Sequence, residues 1–337
     1  MKSKFKTTPL NRRDFIGLGA GALTFAAMSV KAATDCQIWF APELHGEDAL
    51  KMPIMKDFKP TKLQINVGAK KPFRMLHISD SHIATMSAKD LAKADDVELK
   101  WYEGRRRHFA TWGTGLAAAL VYSKVHNLPI IHTGDLADYL SDANCHIVKH
   151  EFEGLDCLYA VGNHEKAGTH RPGPREHQYA AARAKAEPFF PNPFPVHSKI
   201  VNGVNFVAFD NTGLSNDIFD EQFAKIEQEF KKGLPVVLAY HIPFFEESIA
   251  TAKLSITKSK RIKTIGDFNE AYMAACPGKW TYKINKKLSV WLKEQKNLKA
   301  MLCGHFHQEC QGQYTETAKQ YVAGATYMGN AYDIEFV

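Results

Sequence analysis

Five short apolar runs, each closing on a potential metal ligand, organise this chain. The run at 73–78 leads into Asp80, 128–131 into Asp135, 155–161 into Asn163, 234–240 into His241, and 298–303 into His305. Short apolar runs bounded by Gly, Asp and Asn predict buried strands. In an open α/β sheet the carboxyl ends of strands are rigid anchors for a site, so these five ends are expected to converge on one rim. Apolar residues at helical spacing, Phe219, Phe223, Ile226 and Phe230, then Ile284, Leu288, Trp291 and Leu292, predict two helices, each preceding one of those strands. Residues 199–201 and 204–209 flank Asn202-Gly203, a hairpin signal, and 313–337 alternates strand-like stretches with glycines. The order fits an α/β class with two sheets packed face to face and flanked by helices.

The polar residues at those ends carry the chemistry. Asp80 and His82 lie in Ile-Ser-Asp-Ser-His, Asp135 in Gly-Asp-Leu-Ala-Asp, Asn163 in Gly-Asn-His-Glu, His241 in Tyr-His-Ile-Pro, and His305 and His307 in Gly-His-Phe-His. Imidazoles, carboxylates and one amide oxygen, with no thiolate, suit borderline ions such as manganese, iron, zinc or cobalt. Seven such groups are enough for two ions about 3.5–4 Å apart that share one carboxylate, for which Asp135 is the natural candidate. A pair of this kind points to phosphoester hydrolysis.

The five motifs, in this order, resemble the calcineurin-like metallophosphoesterase superfamily over residues 73–337. The resemblance implies a two-sheet β-sandwich flanked by helices and two divalent or mixed-valence ions. Asp80, His82, Asp135 and His307 would bind the first ion, and Asp135, Asn163, His241 and His305 the second. A hydroxide bridging the ions would attack phosphorus, with His164 as general acid. Any one motif occurs by chance, whereas five in order at strand ends are hard to obtain accidentally. Two branches of the superfamily fit less well. Asp138 stands three positions after Asp135, where purple acid phosphatases carry tyrosine, and Tyr139 comes one step late. The large carboxyl-terminal domain of secreted bacterial 5′-nucleotidases is not expected, since about thirty residues follow His307. The leading expectation is a hydrolase of small phosphomonoesters or phosphodiesters. One alternative is a phosphodiesterase restricted to nucleotide or lipid headgroup substrates. Another is a noncatalytic metal-binding scaffold, although a scaffold would be free to lose ligands and none is missing.

Other histidines read differently. His77 and His132 lie inside predicted strands and are expected to be satisfied core residues. His170 and His177, with Arg171 and Arg175, follow Gly-Asn-His-Glu in a Pro- and Gly-rich stretch, close enough in sequence to reach a bound phosphate, although such composition usually marks an exposed loop.

The amino terminus carries a separate signal. Asn11-Arg12-Arg13-Asp14-Phe15-Ile16 precedes a Gly- and Ala-rich apolar stretch over 16–30 that ends near Val30-Lys31-Ala32. This resembles a twin-arginine export signal over residues 1–32. The apolar stretch is shorter than the ~20 residues of a spanning helix, so a removed signal is expected rather than a stable transmembrane span; a failed cleavage would leave a tether. A periplasmic or otherwise exported destination follows, with the twin-arginine translocation machinery as partner. Its removal also changes the charge argument. Residues 1–32 hold six Lys and Arg and one acid, so the formal +7 of the whole chain falls to +2. No nucleic-acid surface is implied. The compact run Arg105-Arg106-Arg107 reads as a solvated helix face.

An exported destination would permit disulfides among Cys36, Cys145, Cys157, Cys276, Cys303 and Cys310, but no pairing follows from the spacing. The expected organisation is the signal at 1–32, an extension at 33–70, and a metallophosphoesterase domain at 71–337 with insertions near 84–112 and 244–283. Both insertions leave strand ends near the ligands, where long segments act as lids or specificity loops when they are functional.

Overall fold

Alternation along the strands divides the core into an inner and two outer apolar layers. In β4 (Phe73–Ile78), Met75 faces inward while Leu76 and Ile78 face outward. The same alternation puts Phe206 and Ala208 inward and Val207 and Phe209 outward in β8 (Val204–Phe209), and Ala300 and Leu302 against Met301 and Cys303 in β10 (Leu298–Cys303). Period-two strands with both faces apolar must be covered on both sides. The computed structural model shows how. It describes residues 37–39, 51–53, 55–56, 58–166, 175–212, 216–258, 262–268, 272–276 and 283–337.

Besides a small antiparallel pair, β1 (Gln37–Trp39) with β2 (Lys51–Pro53), two mixed sheets form the frame. The five-stranded sheet runs β3 (Thr61–Ile65), β13 (Tyr332–Phe336), β4, β5 (Ile130–His132), β6 (Cys157–Tyr159), with β4, β5 and β6 parallel. The six-stranded sheet runs β11 (Cys310–Gln313), β12 (Lys319–Val322), β10, β9 (Val236–Ala239), β8, β7 (Val196–Val201). Its four central strands are parallel and its two edges antiparallel. The inner faces meet in a cluster that joins Met75, Ile131, Leu158 and Phe336 to Phe206, Val237 and Leu302.

Helices close the outer faces. Phe219, Phe223, Ile226 and Phe230 of α6 (Asn216–Lys231), together with Leu288 and Leu292 of α8 (Lys283–Leu292), pack on Val207, Val236, Leu238 and Met301. Ala119 of α3 (Trp112–His126) covers Leu76, Ile78 and Ile130 on the other sheet. The fold is therefore α/β, a two-sheet sandwich flanked by helices, as the apolar pattern predicts. The hairpin also forms where expected: Asn202 (φ 47°) and Gly203 (φ 84°) both adopt the left-handed conformation that a two-residue turn demands between β7 and β8.

Two segments differ from a simple reading of the runs. Residues 61–65, within the stretch before 71, form β3 at the edge of the five-stranded sheet, hydrogen-bonded to β13. The stretch 84–112 is largely helical: α1 (Ala88–Leu91), then α2 (Asp96–His108). A capping box starts α2, with the Asp95 carboxylate accepting from Val97 and Glu98 N–H while Glu98 accepts from Asp95 N–H. Arg105, Arg106, Arg107 and His108 fill its last turn, where cations favour the helix dipole. Among the described residues no helix is long and apolar enough to cross a membrane. Residues 1–32, Cys36, His170 and Arg171 lie outside the described residues. Among the described residues, Cys145, Cys157, Cys303 and Cys310 are free thiols.

Candidate metal centre

All seven predicted ligands come together where the two sheets share a rim. Asp80, His82, Asp135 and Asn163 follow β4, β5 and β6 of one sheet; His241, His305 and His307 follow β9 and β10 of the other. Backbone hydrogen bonds lock neighbouring ends, Asp80 N–H to Gly134 O at 3.0 Å and His82 N–H to Asp135 O at 2.9 Å. Contacts that cross between the sheets include His305 N–H donating to Asp80 Oδ2 at 2.8 Å and His241 Nδ1–H donating to Thr133 O at 2.7 Å. Glycine is required at two of these ends by close approach. A Cβ on Gly162 would lie 2.1 Å from the Asp135 nitrogen, and one on Gly304 would lie 1.7 Å from Ser79 Oγ.

The backbone is strained where the ligands sit. Asp80, His82, Asp135, His305 and His307 all have positive φ, between 48° and 71°. Each such residue costs about 1–2 kcal/mol relative to the right-handed region, and such strain gathers at functional sites. Five of the seven ligands share it.

Side-chain geometry divides the seven into two sets with one member in common. Asp80, His82, Asp135 and His307 present atoms within 4.8 Å of one another, and so do Asp135, His241 and His305. Asp135 Oδ2 lies 3.7 Å from His82 Nε2 and 3.1 Å from His241 Nε2. Asn163 Oδ1 is 3.1 Å from the same His241 nitrogen, which completes the second set.

Proton bookkeeping shows that the donor set suits cations. The His241 Nδ1–H is committed to a carbonyl, which can only accept, so Nε2 can offer a lone pair to the centre. His82 likewise donates Nδ1–H to Asp138 Oδ1 at 2.9 Å and turns Nε2 inward, 3.1 Å from His307 Nε2. Burial pulls the His82 imidazole down to about 4, keeping it neutral. Buried Asp80 Oδ1 has no hydrogen-bond donor, with His307 Nε2 3.2 Å away. Inward lone pairs and an uncapped buried carboxylate oxygen are costly unless a cation joins them. Although burial opposes it, the facing imidazoles hold Asp135 well below the ordinary carboxylate range; burial lowers His241 too, but Asp135 raises it to about 9, so without a cation its Nε2 carries a proton toward Asp135, and a cation bound there would displace that proton.

His164 stands beside the two sets. Its Nδ1–H donates to Asp138 O at 2.8 Å, with Asp138 Oδ1 at 3.1 Å, and its Nε2 is 4.0 Å from Asp135 Oδ2. Burial lowers this imidazole, but Asp135 and Asp138 raise it to about 9.

Three further residues support the centre. Asp138, read from sequence only as the place of a missing tyrosine, is buried and ties His82 to His164. Glu165 accepts from Asp135, Gly162 and Ala137 N–H at 3.1, 2.8 and 2.9 Å, clamping the turn that carries Asp135 to the one that carries Asn163. Arg105 does not lie on a solvated face. Its Nε and Nη2 grip Asp138 at 2.7 and 2.5 Å, whereas Arg106 and Arg107 are exposed. The spacing Trp101, Arg105, Phe109 was the available signal, since i, i+4 and i+8 share one helix face. For Glu165 and Asp138 the signal was only their place inside the motifs.

His77 and His132 are buried core residues, but only His132 is satisfied at both ring nitrogens, since His77 Nδ1 has no hydrogen-bond partner among the described residues. His77 Nε2 meets Thr133 Oγ1 at 2.9 Å. His132 Nδ1 accepts from Gly134 N–H at 3.2 Å, so its Nε2–H faces Ser81 Oγ at 3.0 Å. Burial lowers both to about 3. A folded-state value below the unfolded one near 6.5 gives stability that is present above pH 6.5 and lost as pH falls toward 3. Each imidazole contributes a slope of up to about 1.4 kcal/mol per pH unit in that window. His77→Phe is therefore expected to flatten the pH dependence of unfolding free energy between pH 6 and 4.5 by nearly one proton, measured by urea titration. A slope equal to wild type would show that His77 does not titrate on unfolding.

The sequence model of the calcineurin-like phosphoesterase family matches residues 73–309, most of the chain. Several solved structures are similar in trace. A dimetal phosphatase from Danio rerio is 11% identical over 76% of this chain and 88% of its own, with a TM-score of 0.42. Phosphopantetheinyl hydrolase from Mycobacterium tuberculosis is 14% identical over 80% and 91%, with a TM-score of 0.40. The calcineurin-like phosphoesterase YfkN from Bacillus subtilis is 10% identical over 76% and 82%, with a TM-score of 0.33. No curated protein matches the sequence.

Proposed function

The chain belongs to the calcineurin-like phosphoesterase family and is a phosphoesterase, and we propose that it is a dinuclear metal-dependent hydrolase of small phosphomonoesters or phosphodiesters that works outside the cytoplasmic membrane. The observation that carries this reading is the Asp135 carboxylate, which faces both donor sets through one oxygen. Asp80, His82, Asp135 and His307 would hold one ion, and Asp135, Asn163, His241 and His305 the other. Manganese, iron, zinc and cobalt all suit these donors. When bound, such a pair supplies Lewis-acid polarisation of phosphoryl oxygens and activation of a water nucleophile near neutral pH.

The chain's own groups supply the rest. Asp80 and Asp135 keep their charge despite burial because imidazoles face them. Glu165 holds the Asp135 turn through two N–H bonds and the Asn163 turn through a third. His164, fixed at Nδ1 by Asp138, carries a proton on Nε2 and transfers it to the leaving alkoxide. Cations beside Asp135 would withdraw part of the support that keeps His164 protonated, which favours that transfer near neutral pH.

Reconstitution of the metal-free protein with each of the four metals, followed by a panel of alkyl, aryl and nucleotide mono- and diesters, tests the assignment. Turnover that requires added metal and retains about two ions per chain at saturation is expected. Activity undiminished after exhaustive chelation would reject it.

Export rests on a different segment. Arg12-Arg13 followed by the apolar stretch at 16–30 supports twin-arginine transport with removal of residues 1–32. Replacing both arginines with lysine is expected to retain an active precursor in the cytoplasm. Unchanged appearance of the mature protein outside the membrane, judged by fractionation, would refute that route.

A further inference from the structure

The structure assigns Arg105, on helix α2, as a positioning residue that aims His164 and His82 through Asp138; the inference rests on reading His164 as the proton donor. Asp138 is fully buried; its Oδ1 receives His82 Nδ1–H at 2.9 Å and Arg105 Nη2–H at 2.5 Å and lies 3.1 Å from His164 Nδ1, whose proton it shares with the Asp138 carbonyl at 2.8 Å. Oδ2 receives Arg105 Nε at 2.7 Å. With the imidazoles alone, one oxygen would carry all the bonds and the carboxylate could rotate about its Cβ–Cγ bond. A two-point guanidinium grip removes that freedom, and an ammonium cannot reproduce it.

Two features tie the grip to the inserted helix. No residue of α2 is fully buried, and the side chains that hold it to the domain include Trp101 and Tyr102, edge-on to Tyr139, and Arg105 on Asp138. The Arg105 guanidinium also lies 4.7 Å from the ring of Phe109, which stacks on His82 at 4.0 Å with an interplanar angle of 6°. Carboxylate rotation and imidazole tilt are thus restrained from the same short segment. His82, Asp138 and His164 alone have the spacing of a third cation site. The permanently charged guanidinium already supplies the positive charge there, which argues for positioning rather than for another metal.

A double-mutant cycle on the metal-loaded protein tests this, with Arg105→Gln, Arg105→Lys and His164→Ala assayed on alkyl and nitrophenyl phosphates. Arg105→Gln is expected to lower kcat on alkyl esters by about 10–100-fold, with KM unchanged and nitrophenyl turnover nearly intact. It should cost nothing further in the His164→Ala background, and Arg105→Lys should recover little. Apart from activity, the His164 Nδ1–H resonance of the metal-free protein should shift or broaden in Arg105→Gln while thermal melting and metal stoichiometry hold. A rise in KM with equal losses on both esters, additive with His164→Ala, would overturn the assignment and make Arg105 a phosphate contact. Loss that tracks metal content or melting would equally overturn it. If His164→Ala shows the leaving-group contrast and Arg105→Gln does not, only the Arg105 inference fails. If His164→Ala shows no contrast, the proton-donor reading fails, and an unchanged Nδ1–H resonance in Arg105→Gln then overturns the positioning role on its own.

Discussion

Asp135→Asn is expected to abolish joint binding of two ions and to lower phosphoester hydrolysis by at least ~10³-fold, a barrier increase of about 4 kcal/mol. Asn is the fair substitution because it keeps the volume and tolerates the left-handed φ of 52° at this position better than most residues. Its side-chain oxygen can still accept from His164 N–H, a bond that Asp135 Oδ1 makes at 2.9 Å. The substitution removes the negative charge and one of two acceptor oxygens, and with them the group common to both donor sets. The Glu165 clamp on this turn is made by backbone N–H groups and survives the change. Metal content by mass spectrometry, thermal melting and turnover separate the possibilities. Two ions per chain with wild-type turnover would sink the shared-carboxylate reading.

His164→Ala should preserve metal content, since His164 belongs to neither donor set, and should cost ~10²–10⁴ in rate on alkyl phosphates, about 3–5 kcal/mol of barrier. The loss should be far smaller on nitrophenyl phosphates, whose leaving group departs readily as an anion. His164 Nε2 is 4.0 Å from Asp135 Oδ2, close enough to the shared carboxylate to meet a leaving oxygen on a phosphoryl group held there. Equal losses on both ester types with both ions bound would assign His164 to substrate positioning. Full activity on both would remove it from the reaction.

Much of the frame was legible because burial imposes a period on the chain. β4 and β10 coincide with their apolar runs, and the Asn202-Gly203 turn follows from a backbone conformation that few residues accept. β6 and β9 are shorter than their runs, since apolar residues continue past both ends of the ladder, whereas β5 begins two residues after its run does and ends one residue beyond it, at His132. The helical character of 96–108 was harder to see: its mostly polar surface leaves little apolar stripe, and its start depends on the Asp95–Glu98 cap.

The seven candidate donors and their places after apolar runs were legible in the sequence, because a metal donor must be one of a few side chains and a rigid anchor must follow a strand. Only the tertiary structure decided what supports them. Asp138, Glu165 and Arg105 act mainly through contacts between residues 26 to 56 positions apart, whose geometry depends on how α2 and the turns after β4, β5 and β6 pack. A charged residue in a polar run looks the same in sequence whether it meets water or a buried carboxylate. Arg105 and its exposed neighbours Arg106 and Arg107 differ only in the direction their helix turns them, and that direction is set by Trp101 and Tyr102 finding Tyr139.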